Sequence, residues 1–280
     1  MEQALKKELQ IFATKTRMGV LEGVYSAKAG HPGGSLSVCD VLSYLYNVRM
    51  RVRPDDPKWA DRDRLVLSKG HAAPALYAAL AYKGFFPVES LKTLRKSDSF
   101  LQGHPNMDKV PGVDMSTGSL GQGISAAAGM ALGAKLDGKD FHVYAILGDG
   151  ELQEGQVWEA AMFAGNHELS NLTAIVDNNN LQIDGTMEEV NAPYPIAEKF
   201  RAFNWNTVEI DGHDFDALEA AFAAADACTT SPTAIVMRTV KGKGVSFMEN
   251  AVGWHGSAPN TEQYEQAMQE LNAALAELEA

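Results

Sequence analysis

Short apolar segments alternate with helical segments along most of this chain, and this alternation constrains the fold more than any other sequence feature. Such alternation predicts an α/β fold, in which a mostly parallel sheet carries helices on both faces. The predicted strands are 64–68, 141–147, 172–176, 207–210 and 234–237. The predicted helices are 4–27, a second helix ending near 46, 72–83, 124–136, 152–167, 196–203, 215–225 and 262–278. Right-handed crossovers place the carboxyl ends of the strands along one edge, where we expect ligands to bind.

Composition and charge narrow the classes of partner. The 280 residues are 45% hydrophobic and 21% charged, with a net charge of -12. An acidic surface repels nucleic acid and anionic membranes, so we expect neither as a partner. The chain shows neither a signal peptide nor a run of about 18 apolar residues, so we expect a cytoplasmic protein. Cys39 and Cys228 lie outside any C-x-x-C pair, and we interpret them as free thiols.

Polar residues follow two successive predicted strands. Gly148-Asp149-Gly150 ends the strand FHVYAIL, and Asp177-Asn178-Asn179 ends the strand LTAIV, with one helix between them. Because both strands end at the same edge of the sheet, we expect Asp149 to lie near Asn178 and Asn179. A carboxylate, an amide oxygen and a backbone carbonyl are oxygen ligands that suit Mg²⁺, and a bound diphosphate would complete the shell. The pattern therefore predicts a magnesium-diphosphate site.

Each motif taken alone has a simpler interpretation, in which GDG forms a tight turn and NNN an exposed loop. Their occurrence at successive strand ends favours the binding site. A Mg²⁺-dependent phosphatase would also carry an aspartate at a strand end, but no D-x-D motif follows a strand here.

Four of the seven histidines lie in Gly- or Pro-rich breaks, where imidazole can bind sugar hydroxyls or phosphate and move protons. These are His31, His71, His104 and His255. The other three, His142, His167 and His213, match no functional pattern, and we interpret them as structural.

The arrangement GDG, 27 residues and Asn178-Asn179 resembles the thiamine diphosphate motif. From Thr16 to Pro259 the chain resembles the N-terminal, diphosphate-binding part of transketolase. Seven segments recur in that family's order: GHPGGSLS, LSKGHAAPALYAAL, GHP, TGSLGQG, GDGELQEGQVWEAA, DNNNLQIDG and GWHG. The resemblance implies the thiamine diphosphate-binding fold, with thiamine diphosphate and Mg²⁺, or Ca²⁺ or Mn²⁺ in its place, as cofactors.

The resemblance also implies residue roles. The metal ligands would be the side chains of Asp149 and Asn179 and the Leu181 carbonyl. The groups near the cofactor would be His71 and Gly150 at the diphosphate, Gly118 and Leu120 at the rings, and Glu154 and Glu159 at a subunit interface. His31, His104 and His255 would serve the donor sugar and the reaction centre.

The resemblance finally implies an assembly. Residues 1–280 would form one diphosphate- and Mg-binding domain with a C-terminal helix, while the pyrimidine-binding and C-terminal domains would lie on a partner chain. We therefore expect the N-terminal subunit of a split transketolase, in an α2β2 heterotetramer. It would move a two-carbon ketol unit from a ketose phosphate to an aldose phosphate, as in the pentose phosphate pathway, and be inert alone.

Other interpretations remain open from the sequence. The chain could serve a split transketolase for a non-standard sugar, a 1-deoxyxylulose-5-phosphate synthase or the α subunit of a 2-oxoacid dehydrogenase. It could also be a non-catalytic cofactor-binding subunit, or a piece of a full-length enzyme. GHPGGS and GWHG favour transketolase, but the donor and acceptor sugars stay undetermined.

Overall fold

The computed structural model describes all 280 residues and contains five β-strands and ten α-helices. The strands are β1 (Arg64–Leu67), β2 (Val143–Gly148), β3 (Leu172–Asn178), β4 (Asn206–Asp211) and β5 (Thr233–Arg238). The helices are α1 (Gln3–Ala27), α2 (Pro32–Leu36), α3 (Cys39–Tyr44), α4 (Ala73–Lys83), α5 (Gln122–Leu136), α6 (Gly155–Asn166), α7 (Met187–Val190), α8 (Ile196–Ala202), α9 (Phe215–Ala227) and α10 (Thr261–Glu279). None of these helices has both the length and the apolar character needed to cross a membrane.

The five strands form one parallel sheet in the order β1-β2-β3-β5-β4. Neighbours β2 and β3 pair along their whole length, so that Gly148 lies opposite Asp177 at their carboxyl ends. The segments that follow β1, β2, β3 and β5 therefore leave the sheet at the same edge. The predicted parallel α/β fold is confirmed.

Alternate side chains of β1, β2, β3 and β5 enter two separate apolar cores, as expected for strands that are covered on both faces. Tyr144 and Ile146 of β2 belong to the core that also contains α1, α3, α4, α9 and α10. Val143, Ala145 and Leu147 belong to the second core, which contains α5, α6 and α8. Since both of their faces are buried, these four strands consist mostly of apolar residues, whereas the edge strand β4 is only partly buried.

Two regions differ from the predicted helices. The helix expected after the break at 30–35 consists of α3 and a π-helical turn at Leu45–Arg49, and α2 forms within the predicted break itself. Between α2 and α3, Ser37 Oγ donates to Asp177. The helix expected from residue 152 begins as a 3₁₀ turn, Gly150–Gln153, before α6. The short helix α7 was not predicted, although its capping box of Thr186 and Glu189 is a recognisable sequence signal.

A glycine-rich entry to α5 brings this helix close to the end of β1. Gly118 and Gly121 have φ angles of 150° and 81°, which residues with side chains rarely adopt. At Gly123 a Cβ atom would lie 2.6 Å from Ser68 Cα, so only glycine allows this approach. The glycines thus place residues 118–121 at the carboxyl edge of the sheet.

Candidate active site

A cavity of about 380 Å³ opens at the carboxyl edge of the sheet. Ten of the twelve predicted site residues line it: His31, His71, Gly118, Leu120, Asp149, Gly150, Glu154, Asn179, Leu181 and His255. They come from the segments after β1, β2, β3 and β5 and from the loops before α2 and α5. Residues that are up to 224 positions apart in the chain (His31 and His255, 255 − 31) therefore share one cavity wall.

Asp149 places a buried carboxylate in this cavity, because it follows directly after β2. The residue is 2% exposed, and its two oxygens accept hydrogen bonds from the backbone N–H groups of Gly150 at 2.8 Å and Asn180 at 2.6 Å. Burial and the neighbouring carboxylate of Asp177 raise the pKa of Asp149 to about 7. No cationic side chain donates to it, so a bound cation would relieve an unfavourable buried charge.

Asn179 and Leu181 supply neutral oxygens beside this carboxylate. Asn179 Oδ1 accepts from the Leu181 N–H at 3.2 Å, while its Nδ2 donates to Asp177 Oδ2 at 2.9 Å. The Leu181 carbonyl accepts from Lys241 Nζ at 2.8 Å. No three His, Cys, Asp or Glu side chains converge as a metal-binding group. This chain can thus offer a metal ion one carboxylate and neutral oxygens, a set that suits Mg²⁺ when a phosphate ligand supplies further oxygens.

Three histidines of the cavity lining form a compact triangle. The ring centroid of His71 lies 5.3 Å from the centroids of His31 and His255, and these two centroids are 5.5 Å apart. Burial and neighbouring positive groups lower the pKa of all three, that of His255 to about 3. They are therefore neutral near pH 7 and can both donate and accept hydrogen bonds. His31 Nδ1 is buried and has no partner within the chain, as expected for an atom that contacts a ligand.

Two predicted residues do not line the cavity. The ring of His104 packs beside Gly118, where an added Cβ atom would lie 3.1 Å from the ring. The His104 carbonyl accepts from the Tyr77 hydroxyl at 2.8 Å. Glu159 is exposed on α6, whereas Glu154 precedes the first residue of that helix at the cavity rim. The roles predicted for the two glutamates at a subunit interface stay predictions.

Two buried lysines at the floor of the cavity were not assigned from the sequence. Lys69 is 1% exposed and donates to the Gly34 carbonyl at 2.6 Å and to Asp177 at 2.5 Å. Lys241, which the sequence left open as a basic loop residue, is 2% exposed and donates to His255 Nδ1 at 2.8 Å. Burial, followed by the charge of Lys69, lowers the pKa of Lys241 to about 8. The position of Lys69 directly after β1 was the available signal.

A buried glutamate, also missed from the sequence, joins the loops around the cavity. Glu151 is 2% exposed, and its carboxylate accepts from the hydroxyl of Ser68. It also accepts from the N–H groups of Gly121 at 2.9 Å and Gly148 at 3.0 Å. The ends of β1 and β2 are thereby tied to the glycine-rich loop. No pattern in the sequence distinguishes Glu151 from an exposed helical glutamate.

The arrangement as a whole suits a polyanion that is bound together with a divalent cation. Two buried ammonium groups and neutral imidazoles can donate to phosphate oxygens, and the Asp149 carboxylate would repel that phosphate without a cation between them. The orphaned His31 Nδ1 atom and the unpaired Asp149 carboxylate are the two observations that fit such a ligand. The residues therefore fit a metal-bound diphosphate.

Comparison with known proteins agrees with this chemistry. Residues 9–276 match the family model described as transketolase, thiamine diphosphate binding domain. The chain is 47% identical over 264 residues to the 6-deoxy-6-sulfo-D-fructose transketolase subunit SqwG of Clostridium sp. (strain MSTE9), covering 94% of this chain and 96% of that protein. It is 44% identical over 271 residues to an apulose-4-phosphate transketolase subunit of Phocaeicola vulgatus, covering 97% and 96%.

Solved structures show the same architecture. The transketolase of Campylobacter jejuni superposes with a TM-score of 0.89 at 32% identity, covering 99% of this chain and 46% of that chain. The predicted resemblance is thus confirmed, both in sequence and in fold. The chain belongs to the transketolase family of transferases and carries that family's thiamine diphosphate-binding domain.

Proposed function

We propose that this chain binds thiamine diphosphate through a Mg²⁺ ion and acts with a second subunit in ketol transfer between sugars. The observation that carries the proposal is the Asp149 carboxylate, which is buried in the cavity yet accepts no hydrogen bond from a cationic side chain. A family match over residues 9–276 supports the identity of the cofactor. The match also favours transketolase over the synthase and dehydrogenase alternatives.

Each wall of the cavity would then have its own task. Asp149, Asn179 and the Leu181 carbonyl would hold the metal ion, for which Ca²⁺ or Mn²⁺ could substitute. The groups at the diphosphate would be His71, Gly150, Lys69 and Lys241. Gly118 and Leu120 would lie against the rings of the cofactor.

The bound cofactor supplies an electron sink for the cleavage of a carbon-carbon bond. The chain's own residues orient the sugar and manage protons. His31 and His255, neutral near pH 7, can donate to sugar hydroxyls or accept from them, and His104 would assist from beside Gly118. Water is excluded only in part, because the cavity remains open on one side.

A second subunit is supported by the relatives and by the cavity rim. Both relatives of matching length are named as subunits of transketolases. At the rim, Leu120 is 36% and Ile183 is 68% exposed, so that apolar side chains face outward next to the cofactor site. A pyrimidine-binding domain on the partner would cover them, and an α2β2 assembly in the cytoplasm is the arrangement that we propose.

A non-standard sugar is a second candidate for the substrate. The two relatives are named for a sulfonated ketose and for apulose 4-phosphate, not for the pentose phosphates. Arg95 is exposed, and its charge lowers the pKa values of His31 and His104, which places a cation near the proposed sugar site. Its guanidinium group could bind the phosphate or the sulfonate group of a ketose.

Reconstitution tests the proposal directly. The tagged chain would be isolated from its native cells and assayed with thiamine diphosphate and Mg²⁺ for ketol transfer from xylulose 5-phosphate to ribose 5-phosphate. We expect transfer only when a second protein co-purifies. A second protein without this transfer, but with transfer from a sulfonated or branched ketose, would support the non-standard substrate. Absence of both partner and cofactor binding would contradict the proposal.

The variant His31→Ala distinguishes a purely cofactor-binding role of this chain from a role in the reaction. Because His31 is assigned to the sugar and not to the metal ion or the diphosphate, the variant should keep its cofactor affinity within about threefold while turnover falls about 100-fold or more. Unchanged turnover in the reconstituted complex would contradict the role of His31 in the reaction.

A further inference from the structure

One buried carboxylate below the cavity has no role in the proposed function. Asp177 is fully buried at the end of β3 and does not line the cavity. Its Oδ2 atom accepts from Ser37 Oγ at 2.7 Å, Lys69 Nζ at 2.5 Å and Asn179 Nδ2 at 2.9 Å. Its Oδ1 atom accepts from Thr239 Oγ1 at 2.5 Å. The carboxylate thus satisfies four donors and leaves none of them unpaired.

The four donors belong to four separate segments. Ser37 follows α2, Lys69 follows β1, Asn179 follows β3 and Thr239 follows β5. Each of these four segments contributes a residue to the cavity, namely Gly34, Lys69, Asn179 and Lys241, and the Asp177 carboxylate joins all four. The segment after β2 and the loop before α5 also line the cavity but do not contact Asp177. A single desolvated carboxylate in such a network is strongly held, because the low local dielectric strengthens each hydrogen bond.

The contact with Asn179 has a specific geometric consequence. A carboxylate only accepts hydrogen bonds, so it must face the NH₂ group of the amide, and the amide oxygen then points the other way. That oxygen accepts from the Leu181 N–H, beside the carbonyl of the same residue. With the amide reversed, two NH₂ hydrogens would replace the oxygen that a metal ion requires.

We infer that Asp177 is a positioning residue for metal binding, which holds the Asn179 amide with its oxygen available to the ion. The inference rests on the proposed function, because it concerns the same magnesium-diphosphate site. Partners of metal ligands commonly act in this way, and their removal weakens metal binding about 10- to 100-fold.

The inference predicts a change in metal preference as well as in affinity. Mg²⁺ requires nearly octahedral geometry, whereas Ca²⁺ accepts flexible and irregular shells. An Asn179 amide that is free to rotate should therefore impair Mg²⁺ more than Ca²⁺. A general loss of folding or of negative charge would weaken both dications alike, so the ratio of the two affinities isolates positioning.

Two substitutions of the same residue form a matched pair. Asp177→Asn removes the charge but can keep its oxygen towards Lys69 and Asn179, with its NH₂ group towards the hydroxyl of Thr239, which can accept. Asp177→Ala removes both charge and acceptors. Calorimetric titration of Mg²⁺ and Ca²⁺, with thiamine diphosphate present, would be done on the complex of this chain with its partner subunit.

For Asp177→Ala we expect Mg²⁺ affinity to fall about 10- to 100-fold. Its Ca²⁺ affinity should be less than about threefold lower than the Ca²⁺ affinity of Asp177→Asn. Equal changes for both ions in Asp177→Ala would overturn the inference alone. Absence of metal-dependent cofactor binding in the wild-type complex would instead overturn the proposed function, and the inference with it.

A milder variant keeps the inference testable if Asp177→Ala does not fold, as judged by circular dichroism. The double substitution Ser37→Ala and Thr239→Val removes two of the four donors and leaves Asp177, Lys69 and Asn179 in place. We expect the ratio of Mg²⁺ to Ca²⁺ affinity to fall by about threefold or more, since the carboxylate is less firmly held. An unchanged ratio would contradict the inference.

Discussion

Asp149 carries an uncompensated charge inside the folded chain. Burial and Asp177 raise its pKa to about 7 from the ordinary value of 3.8. Because the folded-state pKa lies above that of the unfolded chain, the stability that Asp149 contributes is present below about pH 4 and is lost as the pH rises through 7. The residue is therefore unfavourable for folding at neutral pH, as expected for a group retained to bind a ligand.

Replacing Asp149 separates binding from folding. We expect Asp149→Ala to lower Mg²⁺-dependent affinity for thiamine diphosphate by more than about 100-fold, since even partners of metal ligands cost about 10- to 100-fold. The melting temperature of the ligand-free variant at pH 8 should equal or exceed that of the wild type, because a buried charge is removed. Calorimetry measures both quantities. Retained cofactor affinity would rule out the proposed ligand set.

The sequence motifs identified some residues of the cavity and missed others. Asp149 and His71 lie in segments that the family resemblance marks. Lys69 lies in one of these segments too, but a lysine in a polar motif is usually exposed. Its burial depends on Asp177, which is 108 residues away in the sequence and supplies the counter-charge. A pairing over that separation was not evident from either segment alone.

Two glycines in the neighbouring helices α5 and α6 have different surroundings. At Gly165 in α6 a Cβ atom would lie 1.8 Å from the carbonyl oxygen of Phe203, so the backbone approach admits no side chain. At Gly129 in α5 nothing lies within 4 Å of the added atom. Both positions look alike in the sequence, as small residues in Ala-rich helices.

These two glycines make a matched prediction. Gly165→Ala should lower the free energy of unfolding by about 2 kcal/mol or more, because the packed backbone must move. Gly129→Ala should raise it by about 0.5–1 kcal/mol, since alanine favours the helix and no contact opposes it. Urea unfolding monitored by circular dichroism measures both. Similar effects of the two substitutions would contradict the packing described for α6.

The helix boundaries show a further limit of prediction from the sequence. Apolar periodicity correctly located α1, α4, α5, α9 and α10. It did not reveal α2 or the interruption between α2 and α3, where Ser37 Oγ donates to Asp177. Local propensity does not indicate such contacts, because the partner lies in another part of the chain.

For the whole molecule, a buried ionic group joins the helical layer to the sheet. Arg17 of α1 pairs with Asp40 of α3, and His213, which follows β4, contacts the same carboxylate through Nδ1 at 2.7 Å. The sequence indicated only a structural role for His213, and the structure specifies that role, because its Nε2 also accepts from the Val240 N–H at 2.9 Å. Burial alone would raise the pKa of Asp40, but Arg17 and His213 outweigh it and lower that pKa.

Breaking this group should destabilise the whole fold. We expect Asp40→Ala to lower the free energy of unfolding at pH 7 by about 3–5 kcal/mol, because Arg17 is left buried without a partner. The depressed pKa means that the stabilisation is present above about pH 4 and is lost as the pH falls through the folded value, so the variant should approach the wild type in acid.

A double substitution provides the control. Arg17→Met with Asp40→Leu removes both charges and should recover most of the stability at pH 7, since apolar residues of similar volume can replace a buried pair. Urea midpoints at pH 7 and pH 3.5 measure these differences. A double variant as unstable as Asp40→Ala would show that shape, not charge, is decisive here.

Local sequence patterns were enough to establish the α/β class, the family and most predicted residues of the cavity, because strand periodicity and contiguous motifs are local properties of the chain. GDG and DNNN each lie at a strand end, so their convergence followed from parallel topology. The folded chain was needed to show that Lys69, Lys241 and Glu151 are buried and that Asp177 joins four segments. These arrangements depend on pairings between distant residues, whose desolvation and partners exist only once the sheet and its loops have packed together.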